Sequence, residues 1–403
     1  ACGTRQQTDG NITDTVQIMS GDNQRTAHDE AAAALVQRLC ELSGPVIDWL
    51  CVRHHLNLTL VEGFLYPGHS AHRMHAPPSR AGADLMADLS RAVAVADIPV
   101  MTQAHVTDLY ADTHGGVTGT RIERPDGGVE HIGCEALILA CNGFGGNADM
   151  VQAHIPDMAD ALYFGHQGNQ GDAIVWGQAL GADTRHLGSY QGHGSVAQPH
   201  GILISWALMM QGGLQINCDG KRFSNEHQGY SEQARRVIAQ PGGTVWNLFD
   251  ARLLHLGRGF EDFRQAEALG AIQTAHTIAE LAKLISVPGA HLAETLAQVA
   301  RYASGTDQDV FGRDFTQTPI LEPPYYALKV TGALFHTQGG LAIDGDARVL
   351  RRDGTALPNL LAGGGAACGV SGSQDWGYLS GNGLLTAATL GYCAGVTAAG
   401  LLG

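Results

Sequence analysis

Charge is scarce in this chain, and basic charge scarcer still. Of 403 residues only 16% are charged, and 24 Lys and Arg stand against 39 Asp and Glu, a formal net charge of −15. Phosphate binding needs clustered Lys and Arg, so DNA and RNA are not expected as partners. No block of like charges offsets this balance. No run of about 18 consecutive apolar residues occurs, so no membrane-spanning helix is expected. The eight cysteines (Cys2, Cys40, Cys51, Cys134, Cys141, Cys218, Cys368 and Cys393) form no CxxC pair. That argues against zinc-ligand spacing and against a disulfide framework, and favours reduced thiols in a cytoplasmic protein. No signal-peptide pattern follows Ala1, and no repeat of about 20–50 residues stands out. The opening, with Gly3-Thr4-Arg5, reads as if it began inside a domain, with further residues expected upstream.

What the chain does have is glycine and apolar mass. Hydrophobic residues make up 44%, enough for a large core, which excludes intrinsic disorder. The 54 glycines are about 13% of the chain, roughly twice the usual share, and sit in short clusters between apolar runs. Loops of that kind approach a ligand backbone-first. Helices are expected over 27–55, broken near Gly44-Pro45, and over 83–95. The turn Pro125-Asp126-Gly127-Gly128 closes a hairpin between Val117–Glu123 and Val129–Ile132. The continuous run Ala136–Ala140 suits a strand buried on both faces of a parallel sheet. From about Met150 to Pro324 short helices and strands alternate, as in a domain inserted into another. Strand-like text returns at Tyr325–Val330, and a helix is expected from Gly383 to Leu402.

Three glycine loops stand at the ends of apolar segments. The first is Ala140-Cys141-Asn142-Gly143-Phe144-Gly145-Gly146-Asn147, directly after a strand. The second is Gly363-Gly364-Gly365-Ala366. The third, Gly377-Tyr378-Leu379-Ser380-Gly381-Asn382-Gly383, heads the last helix, whose dipole favours negative charge nearby. An ordinary N-cap by Ser380 or Asn382 is the plainer reading of that third loop.

Taken in order with Lys221-Arg222-Phe223-Ser224-Asn225-Glu226 and His336-Thr337-Gln338-Gly339-Gly340, these loops resemble one flavoprotein family. It holds fumarate reductase, succinate dehydrogenase, L-aspartate oxidase and the 3-ketosteroid dehydrogenases. The resemblance implies an α/β fold: a Rossmann-like FAD-binding domain, incomplete at its N-terminus, with an inserted α+β capping domain. The expected divisions are 1–149 and 325–403 for the FAD-binding domain and 150–324 for the cap. The implied cofactor is FAD, with Val106 at its adenine end and Ala140, Asn142 and Gly143 near the dinucleotide. Gly364, Gly365, Ala366, Ser380, Gly381, Asn382, Leu384 and Leu385 would meet the ribityl chain and flavin ring. Substrate would bind between the two domains, over the ring.

Departures from the family sharpen the expectation. The G-x-G-x-x-G phosphate loop of the family's first strand is not in this sequence, and Gly364 stands where the family often has Glu. The arginines that clamp and protonate dicarboxylates correspond here to Tyr378 and Tyr230, while His336 is kept. That argues against fumarate or succinate. It points to an enzyme, an FAD-dependent oxidoreductase acting on a C–C bond beside a carbonyl, with Tyr230, His336 and Tyr378 as catalytic groups. The expected partner is a ketone or other carbonyl compound, with room for a separate electron acceptor. The competing readings are a fumarate reductase-like enzyme on a carboxylate, or a cofactor-free flavoprotein scaffold used as a binding module. Arg235 and Arg236 could supply the missing positive charge, although a helix pair of this kind is more often at the surface. His193 and His200, in a Gly-rich stretch, could face the substrate, although flexible loop histidines are common. The spacing His69, His72, His75 lacks a Cys or carboxylate partner, so no metal site is expected.

Overall fold

The computed structural model describes residues 30–62, 69, 71–373 and 378–403, which divide into two compact units. Of the described residues, the first comprises those up to 147, 167–189 and those from 337 on, and the second 148–166 and 190–336. The cap expected over 150–324 therefore differs at two places. Residues 167–189 belong with the first unit, where Thr184–Arg185 pairs with Gly340–Leu341. Residues 325–336 belong with the second, because strand Tyr325–Thr337 is the hub of its sheet.

In the first unit, strand Ala356–Ala362 lies between Arg348–Leu350 and Leu137–Leu139, parallel to the latter. Leu139, Leu341, Leu357, Leu360, Ala362, Ala366 and Leu390 bury together as its core. Leu139 is 4% exposed, but Ile138 remains 38% exposed, so the strand is not covered on both faces by described residues. A three-stranded antiparallel sheet runs through His105–Ala111, Val117–Glu123 and Val129–Gly133. Its second turn works because Gly127 takes a left-handed φ of 83°, open to glycine without steric cost.

Helix Glu30–Asp48 does not break at Gly44-Pro45. Pro45 withholds one N–H, yet the helix runs through it and widens into a π-turn at Trp49–Arg53. Trp49 there meets Tyr392 of the terminal helix edge-on at 5.1 Å. That terminal helix spans Asn382–Leu402 and buries Thr386, Leu390, Cys393 and Ala394. By length and composition alone it could cross a membrane, although the Gly and Thr interspersed along it leave no continuous apolar run. A core helix passes the same test.

The second unit is built on a seven-stranded sheet. Tyr325–Thr337 pairs with Thr244–Phe249, Ile272–Ala275 and Leu162–Tyr163, and neighbours Tyr190–Ala197. Helix Tyr230–Ile238 lies against Tyr190–Ala197 at very short range. A Cβ on Gly192 would stand 2.5 Å from the Ala234 Cβ, and one on Gly194 2.8 Å from the Gln233 Cβ. The same unit holds a buried ionic cluster. Arg222 bonds both carboxylate oxygens of Glu226 (2.9 and 2.7 Å) and reaches Asp309 at 2.8 Å, and Arg313 adds a contact to Glu226 at 3.0 Å.

Candidate active site

Because Leu137–Leu139 and Leu360–Ala362 are parallel neighbours, the loops that follow them leave the sheet at the same edge. Asn142 turns the first loop with φ 66° and accepts the Gly143 N–H on its Oδ1 at 2.9 Å. Gly143 and Gly365 lie so close that a side chain on either would collide, the first with Thr337 Oγ1 and the second with Asn142 Oδ1. The Thr337 hydroxyl also accepts the Phe144 N–H, tying this loop to the His336-Thr337-Gln338 stretch. Gly364–Ala366 forms a short 3₁₀ turn beside the terminal helix, and a Cβ on Gly364 would rest 3.7 Å from that of Ala387. The structure thus brings Asn142, Gly143, Gly364, Gly365 and Ala366 together, with Ala140 exposed at the loop's start. Val106 sits apart from them, half-buried in the hairpin sheet.

The head of the terminal helix is not an ordinary cap. Its N-cap is Gly381, at φ 88°, and no side chain caps it. Ser380 is buried, and its carbonyl lies 3.0 Å from the His69 Nε2. Burial lowers the pKa of that imidazole, which favours a neutral ring donating to the carbonyl. Asn382 is only 2% exposed, yet its Nδ2 has no hydrogen-bond partner among the described residues. A buried amide donor left open is costly unless something else accepts from it. Leu384 is 70% exposed and Leu385 half-buried on the same turn. Tyr378 is half-buried just before it; Gly377 lies outside the described residues.

In the second unit the notable group is His193. It is no loop histidine; it lies within strand Tyr190–Ala197 and is 5% exposed. Its ring stacks on Tyr230 at 4.9 Å and on Phe335 at 5.4 Å, and meets Trp206 edge-on at 5.8 Å. Phe335 in turn stacks on Phe164 at 4.9 Å. The Ser195 N–H donates to His193 Nδ1 at 3.1 Å. A ring nitrogen that accepts carries no proton, so the neutral ring bears its proton on Nε2. Burial holds the pKa of His193 down at about 3, and at neutral pH it is therefore a neutral donor, not an acid or base. Tyr230 starts helix Tyr230–Ile238 and is 8% exposed. His336 is half-buried near the end of strand Tyr325–Thr337. Arg235 faces Asp157 at 3.5 Å.

The open Asn382 donor, the helix dipole behind it and the side-chain-free glycine loops fit a planar, anionic-tending cofactor. The comparisons agree on which. A family model described as FAD binding domain matches residues 2–384. The chain belongs to that FAD-binding family. Proteins similar to this chain include a probable fumarate reductase of Shewanella frigidimarina, 27% identical over 401 residues, or 99% of this chain and 67% of the relative. Another is the 4-oxocyclohexanecarboxylate 2-dehydrogenase of Sinomonas cyclohexanicum, 31% identical over 329 residues, 72% of this chain and 55% of that one. The solved open conformation of a flavocytochrome c3 fumarate reductase superposes with a TM-score of 0.77 at 26% identity, covering 100% of this chain and 70% of that one. The chain thus spans about two thirds of the fumarate reductase's length and about half of the dehydrogenase's. It is an FAD-dependent oxidoreductase by family, and its relatives reduce or dehydrogenate C–C bonds.

Nothing in the sequence pointed to the Thr337 hydroxyl or to the buried amides around His193. His193 carried a weak signal in its flanking glycines, but glycine is depleted from strands, so Gly192-His193-Gly194 has the local pattern of a loop.

Proposed function

We propose that the protein moves a hydride to or from a carbon next to a ketone or similar carbonyl. The observation that carries this reading is the neutral His193, stacked among the uncharged rings of Tyr230 and Phe335. A neutral donor suits a ketone oxygen, whereas a carboxylate calls for a fixed cation. The two most buried arginines of that unit, Arg222 and Arg313, are already engaged by Glu226.

FAD would be held by the loops at Asn142–Gly143, Gly364–Ala366 and Ser380–Leu385 and would supply a hydride acceptor or donor. Asn382 Nδ2 would donate a hydrogen bond to it, and the positive end of the terminal helix would favour negative charge nearby. In the second unit, His193 Nε2–H is the group that would bind the carbonyl oxygen and stabilise negative charge developing on it. In the first unit, the Tyr378 hydroxyl is the candidate for polarising or protonating the substrate. Tyr230 or His336 holds the proton exchanged at the neighbouring carbon.

The test is anaerobic mixing of the FAD-loaded protein with saturated cyclic ketones and, separately, with succinate. The expected result is bleaching of the flavin band by a ketone, slowed about 100-fold or more in Tyr378→Phe. Bleaching by succinate, or turnover of fumarate with the ketones inert, would contradict this reading in favour of a carboxylate substrate.

A further inference from the structure

We infer that Gln215 is a positioning residue: it sets which nitrogen of His193 carries the proton, by holding the Gly194–Ser195 peptide in one orientation. The two ends of that single peptide plane are both engaged. Its N–H, from Ser195, donates to His193 Nδ1 at 3.1 Å, and its carbonyl, from Gly194, accepts from Gln215 Nε2 at 2.8 Å. Rotating the plane would break both bonds at once and turn a carbonyl toward Nδ1, which would then have to carry the proton. The bond to the carbonyl also polarises the peptide and strengthens the N–H that His193 receives.

Gln215 can do this because its own amide has no freedom. The second Nε2 hydrogen goes to Asn247 Oδ1 at 2.9 Å, and Oε1 accepts from Gln233 Nε2 at 2.9 Å. Asn247 Nδ2 returns to the Ser195 hydroxyl at 2.7 Å, so the strand is gripped on both sides of the peptide. Gln215, Asn247, Gln233 and Ser195 are each 0–1% exposed. A flip of the Gln215 amide would set its oxygen against the oxygens of Gly194 and Asn247. The side chains of Gln215, Asn247, Gln233 and Ser195 are uncharged. Glu226, which accepts the Gln215 main-chain N–H at 3.2 Å, has its pKa held down at about 2, against the effect of burial, by Arg222 and Arg313, so the network keeps one arrangement across the pH range in which an enzyme works. Gln233 lies on the helix that Tyr230 begins, and the same network therefore joins the two residues stacked in the site.

The kinetic consequence rests on the proposed role of His193 as carbonyl donor; the tautomeric consequence does not. The experiment is long-range ¹H–¹⁵N NMR of the holoenzyme labelled at histidine nitrogen, with the His193 signals assigned by His193→Phe. In the wild type His193 is expected as a single Nε2–H tautomer. In Gln215→Met that signature is expected to be lost to a mixture or to Nδ1–H, with kcat falling about 10- to 100-fold and KM changing far less. A wild-type ring protonated on Nδ1 overturns the inference without any variant. So does a folded Gln215→Met protein that keeps the pure Nε2–H signature. A shifted tautomer with unchanged kcat would leave the positioning intact and remove His193 from the reaction instead. Should Gln215→Met not fold, Asn247→Ser, which frees Gln215 Nε2 and the Ser195 hydroxyl, is expected to shift the same signals; no shift there counts against the inference.

Discussion

His193 is buried and His227 half-buried, both as neutral rings, with pKa values held down at about 3 and about 4. Desolvation is the main cause for each, and Arg313 adds repulsion at His227. An unfolded imidazole titrates at about 6.5, so between that pH and 3 the unfolded chain binds protons the folded one refuses. Stability is thus complete above about pH 6.5 and is lost as pH falls through that window. Glu226 behaves in the same direction lower down. Burial would raise its pKa, but hydrogen bonds and charge from Arg222, with Arg313 behind, hold it at about 2 against an ordinary 4.5. Its contribution disappears as pH falls from 4.5 toward 2. Denaturant midpoints measured from about pH 4.5 to about pH 7 should fall on acidification, and His193→Phe, which keeps an aromatic ring in the stack, should flatten that slope by the part due to His193, leaving that of His227 and His69. An unaltered slope in the variant would mean that His193 is already protonated in the fold or is solvated.

Among the elements, glycines divide into those that set distance and those that do not. Gly192 lets strand Tyr190–Ala197 touch helix Tyr230–Ile238, and Gly192→Ala forces a methyl against the Ala234 side chain and the Ser231 carbonyl. A loss of about 1–3 kcal/mol is expected from that overpacking. Gly395, inside the terminal helix, has open space within 4 Å of where a Cβ would sit, and Gly395→Ala should stabilise by about 1 kcal/mol. Thermal melts of the two variants should move in opposite directions. This division is only partly legible in the sequence. The hairpin at Gly127, the helices at Asp172–Ala179 and Ile278–Leu284, and the loops after Leu139 and Ala362 follow from local pattern, because their turn residues and periodicity lie within a few positions. The hub strand Tyr325–Thr337 outruns the strand-like text at Tyr325–Val330 and belongs to the other unit, because its partners are spread along the chain from Leu162 to Ala275. His193 and Gln215 escape a sequence reading for the same reason: what makes them matter is the peptide and the rings around them, which no local pattern encodes.

On the scale of the molecule, one unit carries a glycine-lined cradle at the head of an apolar helix, and the other carries a stack of neutral rings on a mixed sheet. The first is the part proposed to bind the cofactor, and the chemistry proposed for the second depends on it. The most direct test is the affinity for FAD of the wild type and of Asn382→Leu, read from the visible flavin spectrum on titration, alongside the unfolding midpoint of each without cofactor. Because the Asn382 Nδ2 has no partner within the described chain, its removal should leave the cofactor-free protein as stable as before or more so. The same change should weaken FAD binding by at least about fivefold. A wild type that binds no flavin, or a variant that binds it with unchanged affinity, would contradict the account.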